Sequence, residues 1–194
     1  MASFFDRLGC YLLDVLLIFA ISSVISVFIP NKGNDINKEI TVLTEKYTNG
    51  EVESEAFINE YQDLMYNYQK ENYLSTVVSV GLNFIYFVVF AYFNKGQTIA
   101  KKLMNIKVVD NKTEERPKFW QMLVRNVFIY SLLSNVIILI LLFTSKNNFI
   151  YCYTLVGGFD LMFVMITVMF VLYRKDKRGL HDMMACTKVV KESV

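Results

Sequence analysis

The sequence predicts an all-α membrane protein: a four-transmembrane-helix bundle with an extracellular helical segment and short cytoplasmic β-like segments. Three observations predict it. Hydrophobic residues make up 54% of the chain, against about 45–50% in soluble domains. There are 16 Phe and 12 Tyr but only 2 Pro, so the apolar residues fall in long unbroken runs. Four of these runs reach or approach the roughly 20 residues that span a hydrocarbon core, and the segments between them differ sharply in charge. The 194 residues suffice for one domain, 1–194.

The first span is expected at about 8–29, from Leu8 to Ile29, with Asp14 as its one charge. It is too long for a signal peptide, its lead-in (Asp6, Arg7) is nearly neutral, and no small-residue cleavage site follows Ile29. Residues 30–72 read as an outer helical insertion. Asn49-Gly50 marks a turn. After it Phe57, Tyr61, Leu64, Met65 and Tyr68 recur at helical spacing, which predicts a helix from about Glu53 straight into the second span. Ile36, Ile40, Val42 and Leu43 predict a shorter helix before the turn. The second span, 73–93, carries no charge. The third, about 121–144, has Arg125 near its start and none from Val127 to Thr144. The fourth, 149–173, holds Asp160 alone. Helices are required because lipid offers no partner for backbone N–H and C=O groups.

Loop charge sets the orientation. Residues 30–72 hold 4 Lys and 9 Asp or Glu, whereas 94–118 hold 7 Lys or Arg and 3 acids, and the tail from Arg174 holds 6 and 3. The basic segments are expected in the cytoplasm and the acidic one outside. This gives a multi-pass protein of the cell membrane with both termini cytoplasmic. The acidic segment has two readings: a helical cap over the outer mouth, or a vestibule that attracts cations. The excess of Lys over Arg, 15 to 5, hints at an AT-rich bacterial genome.

The inner segments have a different grammar. Gly96-Gln97-Thr98 opens a stretch with Lys101 and Lys102 among apolar residues, which suits a membrane interface with lysines reaching the headgroups. Ile106-Lys107-Val108-Val109 and Thr187-Lys188-Val189-Val190 are short, β-branched and alternating, as strands are. Two such strands on one side of the membrane can pair if they pack on something.

Several classes are excluded. A net charge of +2 without a basic, aromatic-interleaved patch argues against nucleic acid. Cys10, Cys152 and Cys186 are isolated, His181 is the single histidine, and no spacing suits a metal. No P-loop, GxSxG or HExxH motif is present. Neither an enzyme nor a cofactor is therefore expected.

Charges inside spans cost at least about 2.5–3.5 kcal/mol each at a helix centre, so the few present need partners. Asp14 lies seven residues, two helical turns, after Arg7 on one face. Arg125 and Asp182 reach the same inner level. Two arginines and two aspartates sum to a neutral cluster, which a bundle can tolerate. It reads either as a salt-bridge clasp or as a cytoplasmic gate or ligand site. Asp160 follows Gly157-Gly158, small residues that let helices approach, and Asn83, Ser131, Ser134 and Asn135 would extend a polar lane. Asp160 is read either as a cation- or proton-binding acid or as a hydrogen-bonded structural one. His181, beside Asp182, is expected to be a hydrogen-bonded turn residue. The candidate ligand, ion or gate residues are thus Arg7, Asp14, Arg125, Asp160, His181 and Asp182.

Arg7 with Asp14, the stretch Gly96-Gln97-Thr98-Ile99-Ala100-Lys101-Lys102 into Ile106-Lys107-Val108-Val109-Asp110, Arg125, and the closing His181-Asp182-Met183-Met184-Ala185-Cys186-Thr187-Lys188-Val189-Val190 together resemble the RDD family of membrane proteins. That family is named for one arginine and two aspartates, and the match puts them at Arg7, Asp14 and Asp182. The family commonly has Gly where Ala100 and Cys186 stand here. Asp160 and the acidic outer segment are not part of its motif. The resemblance implies transport of an undefined ligand, and some members look like sodium–proton antiporters. Two functions are therefore expected in parallel. One is a transporter of a cation, proton or small ligand, in which a homodimer supplies the half that four spans without an internal repeat lack. The other is a non-transporting module (accessory subunit, sensor or immunity-type protein) in which the Arg/Asp cluster is structural.

Overall fold

The computed structural model describes residues 1–29, 33–144, 146 and 148–192. The expected start of the outer insertion at 30–32, the joint at 145 and 147, and the end of the domain at 193–194 lie outside the described residues.

Helix α1 runs Phe4–Ser26. It starts ahead of the apolar run because Ser3 and Asp6 form a capping box: the Asp6 N–H donates to the Ser3 hydroxyl and the Ser3 N–H to the Asp6 carboxylate. This places Arg7 inside the helix. Helices α2 (Gly33–Thr48) and α3 (Ser54–Glu71) pack together as a hairpin, turning where Gly50 adopts a left-handed φ of 76°. Tyr47 stacks on Phe57 with ring centroids 4.3 Å apart. Tyr66 of α3 donates to the Leu142 carbonyl at 3.1 Å, and α3 rests on α8 and α9, defined below.

The second span is α4 (Tyr73–Phe84), a π turn (Ile85–Phe90) and α5 (Ala91–Phe93). It does not continue α3 without a break, since Asn72 leaves helical geometry (φ −98°, ψ 10°) and donates its side chain to the Tyr68 carbonyl. The wider π turn buries three consecutive residues, Tyr86, Phe87 and Val88, and the Phe87 carbonyl accepts from Asn126 Nδ2 at 2.6 Å.

A short helix α6 (Ile99–Leu103) leads to β1 (Ile106–Asp110). Then come α7 (Phe119–Ile129), α8 (Leu132–Thr144), α9 (Phe149–Tyr173), α10 (Leu180–Met184) and β2 (Thr187–Lys191). The third span is a correction to the straight helix expected at 121–144. Helices α7 and α8 meet at 66°, because Ser131 takes a left-handed φ of 53° that ends α7. Neither Pro nor Gly marks this bend in the sequence.

The two strands do pair, antiparallel, with Ile106 opposite Lys191, Val108 opposite Val189 and Asp110 opposite Thr187. They gain the packing that a lone pair needs: Ile106, Val108 and Val189 are buried with Cys10, Ala100 and Met122 in one apolar cluster. The Ala2 N–H donates to the Val189 carbonyl at 3.0 Å, so both termini meet at this end of the bundle. Farther along, the spans turn apolar side chains outward, Phe19, Leu155, Leu161 and Met165 among them. Among the described residues three helices, and a fourth when the bent pair counts as one, are long and apolar enough to cross a membrane. That is the surface expected of helices solvated by lipid.

Candidate functional site

The polar groups at the sheet end fall into two separate networks. In the first, Asp182 of α10 is fully buried. Its Oδ2 accepts from Arg7 Nη1 at 2.6 Å and from the Gly179 N–H at 3.1 Å. Its Oδ1 faces the Arg125 guanidinium and, at 3.4 Å, His181 Nε2. One carboxylate thus ties α1 to α7 through α10. Arg178 holds the loop in place, donating from Nε to the Thr187 carbonyl at 2.9 Å and from Nη2 to the Asp182 carbonyl at 3.2 Å.

The second network surrounds Asp14, also fully buried. Asp14 Oδ1 accepts from the Tyr86 hydroxyl at 2.5 Å and the Ala100 N–H at 3.2 Å, and Oδ2 accepts from the Thr98 hydroxyl at 2.5 Å. Thr98 itself caps α6, taking the Lys101 N–H, and the Tyr86 oxygen takes the Ile99 N–H. Asp14 therefore caps the start of α6 from another helix and joins α1 to the π turn. The expected four-charge cluster is corrected accordingly: Arg7, Arg125 and Asp182 meet, while Asp14 is hydrogen-bonded by hydroxyls and an amide. Its helix face turns toward α6, which offers closer donors than the arginines.

Asp160 sits apart. It is half-buried and accepts from the Ser134 hydroxyl at 2.6 Å, joining α9 to α8. Asn83 donates back to the Ser79 carbonyl of its own helix. These groups are satisfied locally, which is how membrane helices usually treat polar side chains.

Beside the Asp182 network lies a cavity of about 200 Å³, bounded by α1, α7, α9 and α10. Arg7, Lys101, Arg125, Thr167 and His181 line its polar side, and Leu8, Ile129, Val164 and Val168 its apolar side. Several buried atoms there have no hydrogen-bond partner among the described residues: Arg7 Nε and Nη2, Arg125 Nε, Thr167 Oγ1, His181 Nδ1 and, within its ion pair, Asp182 Oδ1. Buried polar groups are otherwise paired as a rule. Burial pushes the Lys101 ammonium down to about 8, with Arg125 and Arg7 adding to it against Asp14. Burial, then Arg125, Arg7 and Lys101, hold the His181 imidazolium well below the usual 6.5, so its ring is neutral at pH 7.

Sequence reasoning missed Tyr86, Thr98, Thr167 and Arg178. It saw Lys101 only as an interfacial lysine. The sole signal for Tyr86 and Thr167 was a polar atom within an apolar run. Among the described residues no three His, Cys, Asp or Glu side chains converge as metal ligands would.

Comparison with curated proteins and with solved structures gives no match. The family model of the RDD family, however, matches residues 1–186, a stretch that takes in both buried aspartates, both clasp arginines and the cavity between them; the chain belongs to the RDD family.

Proposed function

We propose that this protein is a small transporter of the cell membrane, both termini cytoplasmic, which takes its ligand into the cavity beside Asp182. Arg7, Arg125 and Asp182 form the inner gate. A homodimer supplies the second half of the pathway. One observation carries this reading: buried donors of two guanidiniums are left unpaired around a cavity. An unmade buried hydrogen bond costs about 1–3 kcal/mol, so a clasp selected only for stability would have closed on them. Asp14 shows that the same fold can close completely on a buried acid.

Sodium–proton exchange is the less supported form of transport. Both Asp14 oxygens are engaged, Asp160 is bonded to Ser134, and the cavity is lined by cationic rather than acidic side chains. The second reading, a non-transporting module, is favoured by the Asp14 network, which ties three elements together and leaves no acid free there.

The full chain in liposomes decides between them. Trans-bilayer movement of sodium, of protons and of a fluorescent phospholipid is measured for the wild type, Arg125→Gln and Asp160→Asn. Movement of any probe, lost in folded Arg125→Gln and kept in Asp160→Asn, supports transport through the cavity. Sodium-dependent proton movement lost in Asp160→Asn restores the exchanger. A folded wild type that moves none of the three leaves the module reading standing.

A further inference from the structure

The chemistry of the cavity narrows its ligand. This step rests on the cavity being the ligand site. Three cationic side chains, Arg7, Lys101 and Arg125, line it; Asp182 pairs with the two arginines, and Asp14 acts on Lys101 from farther off. Asp14, whose oxygens are held by Tyr86, Thr98 and the Ala100 amide, makes no direct contact with these cations but acts on Lys101 against the two arginines. Three cations less two acids leaves one surplus positive charge in a buried place, where unpaired charge is costly. Lys101 Nζ has no hydrogen-bond or ion-pair partner among the described residues. An anion is the complement this geometry lacks.

The arrangement also bears on which anion. The unpaired donors are Arg7 Nε and Nη2, Arg125 Nε and the Thr167 hydroxyl, and Lys101 lines the same cavity. They come from α1, α6, α7 and α9 and so converge from several directions. A planar carboxylate offers two oxygens to such a set, whereas a tetrahedral oxyanion offers more; guanidiniums bind either in pairs of N–H bonds. His181 adds a discriminating group. Its Nε2 faces Asp182, so a neutral ring protonated there presents Nδ1 as an acceptor. An acceptor among donors suits an oxyanion that keeps one hydroxyl at neutral pH, as a phosphomonoester does. Gly179 lets its loop pack closely against this corner, since a Cβ there would lie 2.9 Å from Thr167 Cγ2 and 3.0 Å from His181 Nδ1.

The opposite wall is apolar, and Leu8 and Val168 on it are both more than a third exposed on the outer face of the bundle. The cavity thus opens sideways between α1 and α9, where acyl chains would lie. We propose that the cavity binds a phosphomonoester group, the head of an anionic lipid whose chains rest along Leu8, Ile129, Val164 and Val168.

The test uses the delipidated full chain in neutral detergent, with binding read by native mass spectrometry and by thermal shift. The probes are dioleoyl phosphatidic acid, dioleoyl phosphatidylcholine, inorganic phosphate and dodecyltrimethylammonium. Phosphatidic acid is expected to bind saturably and about tenfold or more tighter than phosphatidylcholine, the factor that one charged hydrogen bond supports. Lys101→Gln should weaken it about tenfold and Thr167→Val several-fold, with ligand-free melting no lower than wild type in either. Neither variant breaks the Asp182 ion pairs, so failure to fold does not obscure the result. Inorganic phosphate binding as tightly as phosphatidic acid overturns the lipid source and leaves a soluble phosphate ligand. Equal binding of phosphatidic acid and phosphatidylcholine, unchanged in both variants, overturns the proposal. Saturable dodecyltrimethylammonium binding lost in Thr167→Val overturns the anion while the cavity remains the ligand site. No saturable binding of any probe overturns both.

Discussion

Asp14 and Asp182 are both closed off from solvent at the same end of one bundle, yet their neighbours differ in kind. Asp14 is met by two hydroxyls and a backbone amide, and each of those donors is used. Asp182 is met by two guanidiniums, each with buried N–H groups left over in residues that line a cavity. The first arrangement is complete and has nothing to offer a ligand. The second holds helices together and keeps surplus donors. On the proposed reading, a buried acid marks a functional place in this protein only where its counter-charges exceed what it can satisfy.

The sharpest way to break this comparison is to remove each acid in turn. Asp182→Ala strands two buried guanidiniums and should destabilise the protein by about 3–5 kcal/mol, read as lost thermal or denaturant resistance in detergent. Asp14→Asn keeps the volume but sets an amide NH₂ among groups that donate. A loss of about 2 kcal/mol is expected, with phosphatidic acid affinity retained in the folded fraction. If Asp14→Asn costs more than Asp182→Ala, the functional contrast between the two networks is wrong.

A pH series sharpens the same point at Lys101. Its folded-state value of about 8 lies below the ordinary 10.5. Between those two values the unfolded chain holds a proton that the folded chain has released, so stability contributed by this group rises with pH across that window. The burial penalty is full below about 8. Lys101→Met should therefore melt higher than wild type at pH 7, and the gap should close as pH approaches 10.5. A gap that stays constant across the series would show that Lys101 carries no buried charge. The smallest effect belongs to Thr167→Val. Removing a buried hydroxyl without a partner should stabilise the ligand-free protein by about 1 kcal/mol, measured by melting, whereas a clear loss would mean that Thr167 is already paired.

Much of this was legible in the residues. The hairpin turn at Gly50 and the two short strands with their alternation follow from local rules, and the structure contains each of them. Arg7, Arg125 and Asp182 were placed together by their common depth. The bend at Ser131 was not legible, because a serine in an apolar run carries no signal for a left-handed φ. The π turn at Ile85–Phe90 was hidden for a similar reason, as its sequence is uniformly apolar and aromatic. Asp14 was assigned the wrong company, since seven-residue spacing put it on the face of Arg7 and could not show that α6 presents its amide and Thr98 to that face.

By itself the sequence determined the class of molecule: membrane helices, charged segments between them and membership of the RDD family. Those follow from quantities that add along the chain, such as apolar run length and loop charge, and transfer to lipid depends on little else. Which charge meets which was decided only in three dimensions. Hydrogen bonds and ion pairs act over about 3 Å, and a small rotation of one helix moves a side chain farther than that. The split between a closed network at Asp14 and an open one at Asp182 was therefore settled by how α1, α6, α7 and α10 pack.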